Sequence, residues 1–348
     1  MRQQIRELLD RVLLTHAPGG WEQEMNAIVR EELGRCNANV QCDPHDNIYV
    51  VFPGRESDRL SLVTAHKDEN SLIVRKIDED GKMWLDPIGG TRPTRFGEGP
   101  FDLITESEVI PGILHMGSTH SSELSGRIYK TKTQLLTWDM VYLDCKLDAG
   151  QLAQRGVGVG DRALVSRTRK TPTYLHDEYV AGYALDDKAA VAVLLLVARA
   201  LAAEPPAHDV CVGITSAEEG GVSGGKYLCR TLQPHDFIAV EVGPVADEYP
   251  IQMNDQPVVL FKDGSYHYDH VLSRELIAAG TRQDIQCQRA VIRSFGSDSS
   301  LSAQHGLVGR PACICFPTEN THGYEVSTLG ALENCVKILV EHFTNPGR

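Results

Sequence analysis

Apolar residues recur at helical spacing near the start of the chain. Ile5, Leu8, Leu9 and Val12 are spaced so that they lie on one face of a helix. A second amphipathic segment, 22–33, follows a Pro-Gly-Gly break that would end the first helix. The pattern therefore predicts two opening helices.

Short apolar runs then alternate with longer helical segments along most of the chain. Such alternation predicts a mixed α/β sheet flanked by helices, because each strand and helix must bury its apolar face against the other kind of element. The predicted strands are 47–52, 60–65, 209–216, 237–242, 258–262, 291–294 and 312–316. The predicted later helices are 186–203, 225–232, 270–279 and 328–342.

The composition and the apolar pattern of the sequence change between 75 and 170. Glycine and proline become frequent and apolar runs become short, as in DPIGGTRPTRFGEGP, and no long helical period is present. These features are typical of a small β-rich unit. We therefore predict a catalytic domain formed by 1–74 and 171–348, interrupted by an inserted barrel-like domain at 75–170.

Composition restricts the possible partners of this 348-residue chain. Its formal net charge of −13 and the lack of any basic block argue against nucleic acid and anionic membranes. The longest apolar run, 189–198, is too short to span a bilayer, and the first residues lack a signal-like stretch, so we predict a cytoplasmic protein. Nine cysteines without C-x-x-C pairs indicate neither a disulfide framework nor a cysteine zinc site.

Acidic and histidine residues fall at the ends of predicted strands or at the start of a predicted helix. Taken singly, each has an ordinary explanation, such as a hydrogen-bonded histidine or an acid at a helix start. Taken together, imidazole and carboxylate groups that converge from several strand ends are what a divalent metal ion requires. The candidate ligands are His66, Asp186, Glu219, Glu241 and His322.

These segments, in this order and with an insertion between the first and second, resemble the glutamyl and tetrahedral aminopeptidases, a family of dinuclear metallopeptidases. The resemblance covers nearly the whole chain. Ser71 stands where the family's H-x-D-E-x-G pattern has glycine. The motifs that carry the resemblance are His66-Lys67-Asp68-Glu69, Asp186-Asp187, Glu218-Glu219-Gly220-Gly221 and Thr321-His322-Gly323-Tyr324-Glu325.

The resemblance implies a role for each of these residues. Asp186 would bridge two divalent ions, zinc in the first instance and otherwise cobalt or manganese. His66 and Glu241 would complete one ion site, and Glu219 with His322 the other. The same resemblance implies a cis peptide bond after Asp186.

Two further residues receive catalytic roles from the resemblance. Glu218 would be the general base that takes a proton from the attacking water and delivers it to the leaving amine. Asp68 would accept the far ring N–H of His66 and fix its tautomer. The substrate would be a peptide, and the insertion would mediate assembly into a homo-oligomer, in this family often a large hollow particle.

Other interpretations remain open from the residues alone. The family usually has aspartate where this chain has Glu241, which leaves room for a carboxypeptidase or a deacylase. The G-x-S-x-G pattern around Ser223 is compatible with a serine hydrolase. A relative that has lost catalysis and serves as a scaffold is a further alternative. Lys188 lies either on a solvated face or near an acidic substrate side chain.

Overall fold

The computed structural model describes residues 1–132 and 134–346. Seventeen strands are assigned within these ranges. In chain order they are β1 (Gln41–Cys42), β2 (Ile48–Phe52), β3 (Leu60–His66), β4 (Ser71–Ile77), β5 (Met83–Ile88), β6 (Gly99–Ile104), β7 (Val109–His115), β8 (Tyr142–Asp144), β9 (Arg162–Val165), β10 (Thr173–Leu175), β11 (Tyr179–Tyr183), β12 (Asp209–Thr215), β13 (Asp236–Pro244), β14 (Val258–Lys262), β15 (Gln288–Val291), β16 (Arg310–Glu319) and β17 (Tyr324–Thr328).

Eleven α-helices accompany the strands in the same described ranges, together with 3₁₀ turns at Glu123–Ser125 and Trp138–Met140. The helices are α1 (Arg2–Val12), α2 (Gln23–Gly34), α3 (Pro93–Phe96), α4 (Arg127–Lys130), α5 (Ala149–Gln154), α6 (Arg167–Lys170), α7 (Leu185–Ala203), α8 (Ser223–Leu232), α9 (His270–Arg282), α10 (Asp298–Gln304) and α11 (Leu329–Thr344).

A large mixed sheet forms the centre of the molecule. Its main path runs β1, β2, β12, β3, β13, β16, β17, β11, β10, and β14 joins β16 with β15 at its side. The inner pairs β12–β3, β3–β13 and β13–β16 are parallel. The pairs β2–β12, β14–β16 and β16–β17 are antiparallel. The predicted mixed α/β sheet is confirmed.

Helices cover both faces of this sheet, because successive strand residues point to opposite sides. On β3, Val63 belongs to the core cluster that contains α1, α7 and α11 residues, whereas Leu62 belongs to the cluster that contains α8 residues. Helix α7 is apolar on all sides, with Ala189 to Ala198 buried, since it packs between the sheet and α1, α2 and α11.

The segment between β3 and β10 folds separately from the sheet. Strands β4, β5, β8, β7, β6 and β9 close into an antiparallel barrel with its own core, which confirms the predicted barrel-like insertion. Leu72, Phe101, Leu114 and Leu143 are among the fully buried residues inside it. The predicted domain limits, at 75 and 170, stay a prediction.

One predicted strand is misplaced and several elements were not predicted. The strand predicted at 291–294 is instead Gln288–Val291, paired in parallel with β14. Its polar residues Gln288 and Arg289 hide the strand pattern, because β15 lies at the margin of the sheet, where polar side chains are tolerated. The short strands β1, β10, β11 and β17 and helix α10 carry no strong periodic signal and were also missed.

Candidate active site

Three neighbouring parallel strands bring acidic and histidine residues to one edge of the large sheet. Strand β12 pairs in parallel with β3, and β3 with β13, so their carboxyl ends lie at the same edge. His66 is the last residue of β3, and Glu241 lies in the second half of β13. Glu218 and Glu219 follow shortly after β12. The edge where α/β enzymes place their chemistry is therefore lined with potential metal ligands.

The start of a helix and one loop bring the remaining predicted ligands to this edge. Asp186 lies at the start of α7, and His322 lies between β16 and β17. Asp186 Oδ1 is 3.2 Å from Nε2 of His66, and Asp186 Oδ2 is 3.4 Å from Nε2 of His322. Each oxygen of one carboxylate thus faces a different histidine.

The candidate ligand atoms form two groups that share Asp186. One group is His66, Asp186 and Glu241, and the other is Asp186, Glu219 and His322. Within each group the ligand atoms all lie within 4.8 Å of one another. The structure thus brings together the five residues that the sequence singled out, although their role as ligands stays a prediction.

The chemistry of this donor set fits a pair of divalent cations, because imidazole nitrogens and carboxylate oxygens are common ligands of such ions. Burial raises the pKa of Glu219 to about 7. Burial likewise raises the pKa of Glu218 and of Glu241 well above the usual range, and neighbouring carboxylates add to the shift. Divalent cations bound among these carboxylates would lower these raised pKa values.

The two histidines lie in a strongly negative environment. Burial lowers the pKa of His322, but Asp186 and Glu219 outweigh it and raise that pKa to about 10. Burial also opposes a charge on His66, but Glu218 and Asp186 hold its pKa well above the usual range. Carboxylates therefore dominate the electrostatics of the site, which favours binding of cations.

Asp68 contacts both His66 and the loop that carries the two glutamates. Nδ1 of His66 lies 3.1 Å from the carbonyl oxygen of Asp68 and 3.4 Å from its Oδ1. The Asp68 carboxylate accepts the backbone N–H of Glu218 at 2.9 Å and that of Glu219 at 3.1 Å. The carbonyl is thus the nearer acceptor for the histidine ring, while the carboxylate holds the glutamate loop.

Two other buried carboxylates hold the backbone of ligand residues. Asp187 accepts the N–H of His66 at 3.1 Å, and the peptide bond before Asp187 is cis, as expected. Glu325 accepts the N–H of Asp186 at 3.0 Å and that of His322 at 2.9 Å. Burial raises the pKa of Glu325 to about 8, against the pull of these two hydrogen bonds. Glu325 is the last residue of the Thr-His-Gly-Tyr-Glu motif, but its role was not predicted from the sequence.

Glu218 lies beside the two groups without belonging to either of them. Its Oε2 is 3.7 Å from Nε2 of His66, and its side chain lines the same cavity as the candidate ligands. A carboxylate in this position is placed to exchange protons with a molecule bound at the ligand groups.

The candidate ligands line a cavity of about 510 Å³ between the sheet edge and the inserted barrel. Gly90, Arg92, Thr94 and Arg95, which come from the segment around α3, form one wall. Val242, Pro244, Ser294, Phe295 and Gly296 form another wall. The two arginines were missed by sequence reasoning, because only the folded insertion brings them to the site.

Ser223 is not arranged as a nucleophile. It is the first residue of α8, and its Oγ donates to the carbonyl oxygen of Ala217 at 3.3 Å. Among the hydrogen bonds of the described residues, none joins Ser223 to a histidine. The geometry therefore offers no support for the serine hydrolase alternative.

Lys188 lies inside the protein, so the expectation of a solvated or substrate-facing side chain is wrong. Its Nζ donates to Oε1 of Glu69 at 2.8 Å and to the carbonyl oxygen of Thr15 at 2.9 Å. Lys170 also donates to Oε1 of Glu69, at 2.7 Å. Because Glu69 and Lys188 each lie close in sequence to a candidate ligand, their ion pair ties two ligand segments together.

The chain is similar to aminopeptidases along nearly its whole length. It is 25% identical over 360 residues to the Bacillus subtilis protein named "Putative aminopeptidase YhfE", covering 98% of this chain and 97% of that one. The structure of aminopeptidase APDkam598 from Desulfurococcus kamchatkensis matches with a TM-score of 0.88 and 21% identity, covering 99% of this chain and 95% of that chain. The TET1 peptidase of Pyrococcus horikoshii matches with a TM-score of 0.86 and 22% identity, covering 98% and 99%.

The helix-flanked mixed sheet with its inserted barrel, and two groups of candidate ligands that share one aspartate, are in keeping with a metal-dependent peptidase. The model of the M42 glutamyl aminopeptidase family matches residues 46–338, and the chain belongs to this family. The protein is accordingly a peptide-bond hydrolase of the aminopeptidase class. Among residues 1–132 and 134–346, no helix has both the length and the apolar character needed to cross a membrane.

Proposed function

We propose that the protein removes N-terminal residues from peptides with the help of two divalent metal ions. The observation that carries this proposal is the pair of ligand groups joined by Asp186, with Glu218 beside them in one cavity. The candidate ligands and a carboxylate that can transfer protons would thus act on a peptide bound in the same cavity.

Each residue of the site has a place in this proposal. His66 and Glu241 would hold one ion, Glu219 and His322 the other, and Asp186 would bind both. The ions, when bound, would supply Lewis-acid activation of water and of the scissile carbonyl. Glu218 would accept the proton of the attacking water and pass it to the leaving amine.

The geometry around Asp68 suggests a positioning role for this residue. Its carbonyl and carboxylate oxygens lie near Nδ1 of His66, and its carboxylate accepts the N–H groups of Glu218 and Glu219. Asp68 would therefore hold Glu218 and Glu219 at a fixed distance from His66. It would also fix the tautomer of His66 that leaves Nε2 free for the ion.

Zinc is the ion we propose first, with cobalt and manganese as alternatives that the same ligands accept. Glu241 departs from the aspartate that the family resemblance leads us to expect, and it still offers a carboxylate to the group that contains His66 and Asp186. We propose that the enzyme with this longer side chain still cleaves peptides from the N-terminus. A carboxypeptidase or a deacylase is the alternative that the substrate panel below separates.

We further propose that the chain forms a homo-oligomer through the inserted unit, 75–170, while 1–74 and 171–348 carry catalysis. Large apolar side chains are exposed on this unit, namely Val109, Ile113, Leu124, Leu135 and Val159. Such side chains tend to be covered in an assembly. The Pyrococcus horikoshii TET1 peptidase, a structural neighbour, assembles into a tetrahedron or a large octahedral shell.

A cytoplasmic location is proposed on the basis of the cysteines. All nine are free thiols in the structure, and Cys211, Cys229, Cys313, Cys315 and Cys335 are buried. A chain with many free thiols and no disulfide suits a reducing compartment.

The function is tested by hydrolysis of aminoacyl p-nitroanilides, acylated amino acids and peptides with a blocked N-terminus, before and after chelation. We expect cleavage only where the N-terminal amine is free, loss on chelation, and recovery when zinc, cobalt or manganese is added back. Glu218→Gln should abolish cleavage, while Glu248→Gln, at an exposed glutamate, should not. Cleavage of only the acylated compounds, or of peptides from the carboxyl end, would overturn the aminopeptidase assignment.

A further inference from the structure

Glu325 joins two residues of the same ligand group from distant parts of the chain. Its side chain is buried, at 1% exposure, and its two oxygens accept different backbone N–H groups. Oε2 accepts from Asp186 at 3.0 Å, and Oε1 accepts from His322 at 2.9 Å. Both partners belong to the group Asp186, Glu219 and His322, whereas Glu325 belongs to neither candidate ligand group.

The backbone of Glu325 is itself held firmly. The residue lies in β17, where it is paired with Gly182 of β11 in the antiparallel ladder. Strand β11 ends at Tyr183, just before the turn that leads to Asp186. The carboxylate thus projects from a sheet position to the segments that it holds.

The two held segments have irregular backbone. Ala184 and His322 both have positive φ, at 62° and 61°, which are left-handed values that non-glycine residues seldom adopt. Local conformational preference therefore does not fix these segments, and outside contacts must do so. Glu325 supplies such a contact to both segments at once.

Two other buried carboxylates also accept backbone N–H groups of candidate site residues. Asp68 accepts the N–H groups of Glu218 and Glu219, which are adjacent in sequence, and Asp187 accepts that of His66. Glu325 differs because it spans two segments far apart in the chain. Its two oxygens thus link two members of one candidate ligand group, Asp186 and His322, through their backbone N–H groups.

We infer that Glu325 is a positioning residue that fixes the separation of Asp186 and His322 and thereby the metal affinity of their group. It acts through the backbone of these two residues and touches neither substrate nor ion. The inference rests on the proposed metal centre and adds to it a residue outside both candidate ligand groups.

The experiment compares Glu325→Gln with wild-type protein and with Glu319→Gln, a matched change at an exposed glutamate on the neighbouring strand β16. Glutamine keeps the length of the side chain but replaces one acceptor oxygen with an N–H₂ group that cannot accept from an N–H. Zinc binding is measured by competition with a chelator of known affinity, and the fold is checked by circular dichroism.

We expect Glu325→Gln to weaken binding of one of the two ions by about 10- to 100-fold, the usual effect of removing a partner that orients a ligand. Excess zinc should restore kcat in this variant, whereas damage to the fold would not respond to zinc. Glu319→Gln should bind zinc like the wild type. Unchanged zinc affinity in folded Glu325→Gln would overturn the inference.

If Glu325→Gln does not fold, Glu325→Asp takes its place, because the shorter carboxylate can reach one N–H group but not both and should show the same loss of affinity. The outcome is separable from the fate of the proposed function. Wild-type protein that binds zinc but cleaves no peptide would contradict the function, while zinc affinity would still decide the role of Glu325.

Discussion

Lys188 donates from Nζ to Oε1 of Glu69 at 2.8 Å, and both side chains are buried. Lys170 adds a second ammonium group at 2.6 Å from Oε2 of Glu69. Burial opposes the charge on Glu69, yet the two lysines hold its pKa at about 2. A single buried carboxylate is thus the shared charged partner of two buried ammonium groups.

This arrangement makes Glu69 critical for stability. We expect Glu69→Gln to lower the free energy of unfolding by about 3–5 kcal/mol, because two ammonium groups would stay buried without a counter-charge. Denaturant unfolding followed by fluorescence measures the loss. Glu56→Gln, at an exposed glutamate, is the control and should change stability by less than about 0.5 kcal/mol. A stable Glu69→Gln protein would mean that the lysines lose their charge at little cost.

His342 predicts a dependence of stability on pH. Burial lowers the pKa of this histidine from 6.5 to about 4. The unfolded chain therefore binds a proton between these values and the folded chain does not, so stability is fully present above pH 6.5 and falls as the pH drops towards 4. The fall from pH 7 to pH 5 should be about 2 kcal/mol from this group alone.

The control for this effect is His342→Gln, in which the titrating group is absent. Both proteins are unfolded in denaturant at pH 7 and pH 5 under the same metal conditions. The variant should lose about 2 kcal/mol less than the wild type over this interval. Equal losses in the two proteins would show that His342 is not buried in its neutral form.

Arg92 and Arg95 predict a preference for negatively charged peptides. They are the positively charged side chains among the cavity residues, apart from the candidate histidine ligands, and the acidic lining residues are Asp186, Glu218, Glu219 and Glu241. Two divalent ions would balance the four acids, which leaves the charge of the arginines for the substrate. Replacing both arginines with glutamine should lower kcat/KM for peptides with acidic side chains by about 10-fold relative to neutral ones.

A panel of glutamyl, alanyl and lysyl p-nitroanilides measures this ratio. The matched control is Arg274→Gln, at an exposed arginine that lines a different cavity. The control should keep the wild-type ratio. A ratio that stays the same in the double variant would show that the arginines do not contact the substrate.

Replacement of Ser223 tests the serine hydrolase alternative directly. Ser223→Ala removes only the hydrogen bond to the carbonyl of Ala217. Peptidase activity should therefore stay within about 2-fold of the wild type, since Ser223 is half-buried and removal of this one hydroxyl costs little stability. Loss of activity with an intact fold would revive the nucleophile interpretation.

The sequence singled out the residues that the structure brings together, because each lies in a short motif near the end of a strand or the start of a helix. His66 after LVTA and Glu241 within FIAVEV illustrate this, since the apolar run marks the strand and the polar residue marks its functional end. The sheet and the main helices follow from the same periodicity.

Contacts between distant segments were not predictable in this way. The burial of Lys188 depends on Glu69, and the approach of Arg92 depends on how the barrel sits on the sheet. Strand β15 was displaced in the prediction because Gln288 and Arg289 interrupt its apolar pattern. Periodicity reports the face that an element buries, whereas these features depend on which elements meet.

Metal content tests the central claim most directly. Purified protein, dialysed free of unbound ions, is analysed for zinc, cobalt and manganese, alongside Asp186→Asn and the exposed control Asp247→Asn. We predict about two ions per chain in the wild type and the control, as in other two-metal hydrolases. Asp186→Asn should lose most of both ions, because its side chain belongs to both ligand groups. Wild-type protein that binds no ion, or an Asp186→Asn variant that keeps both, would contradict the proposed site.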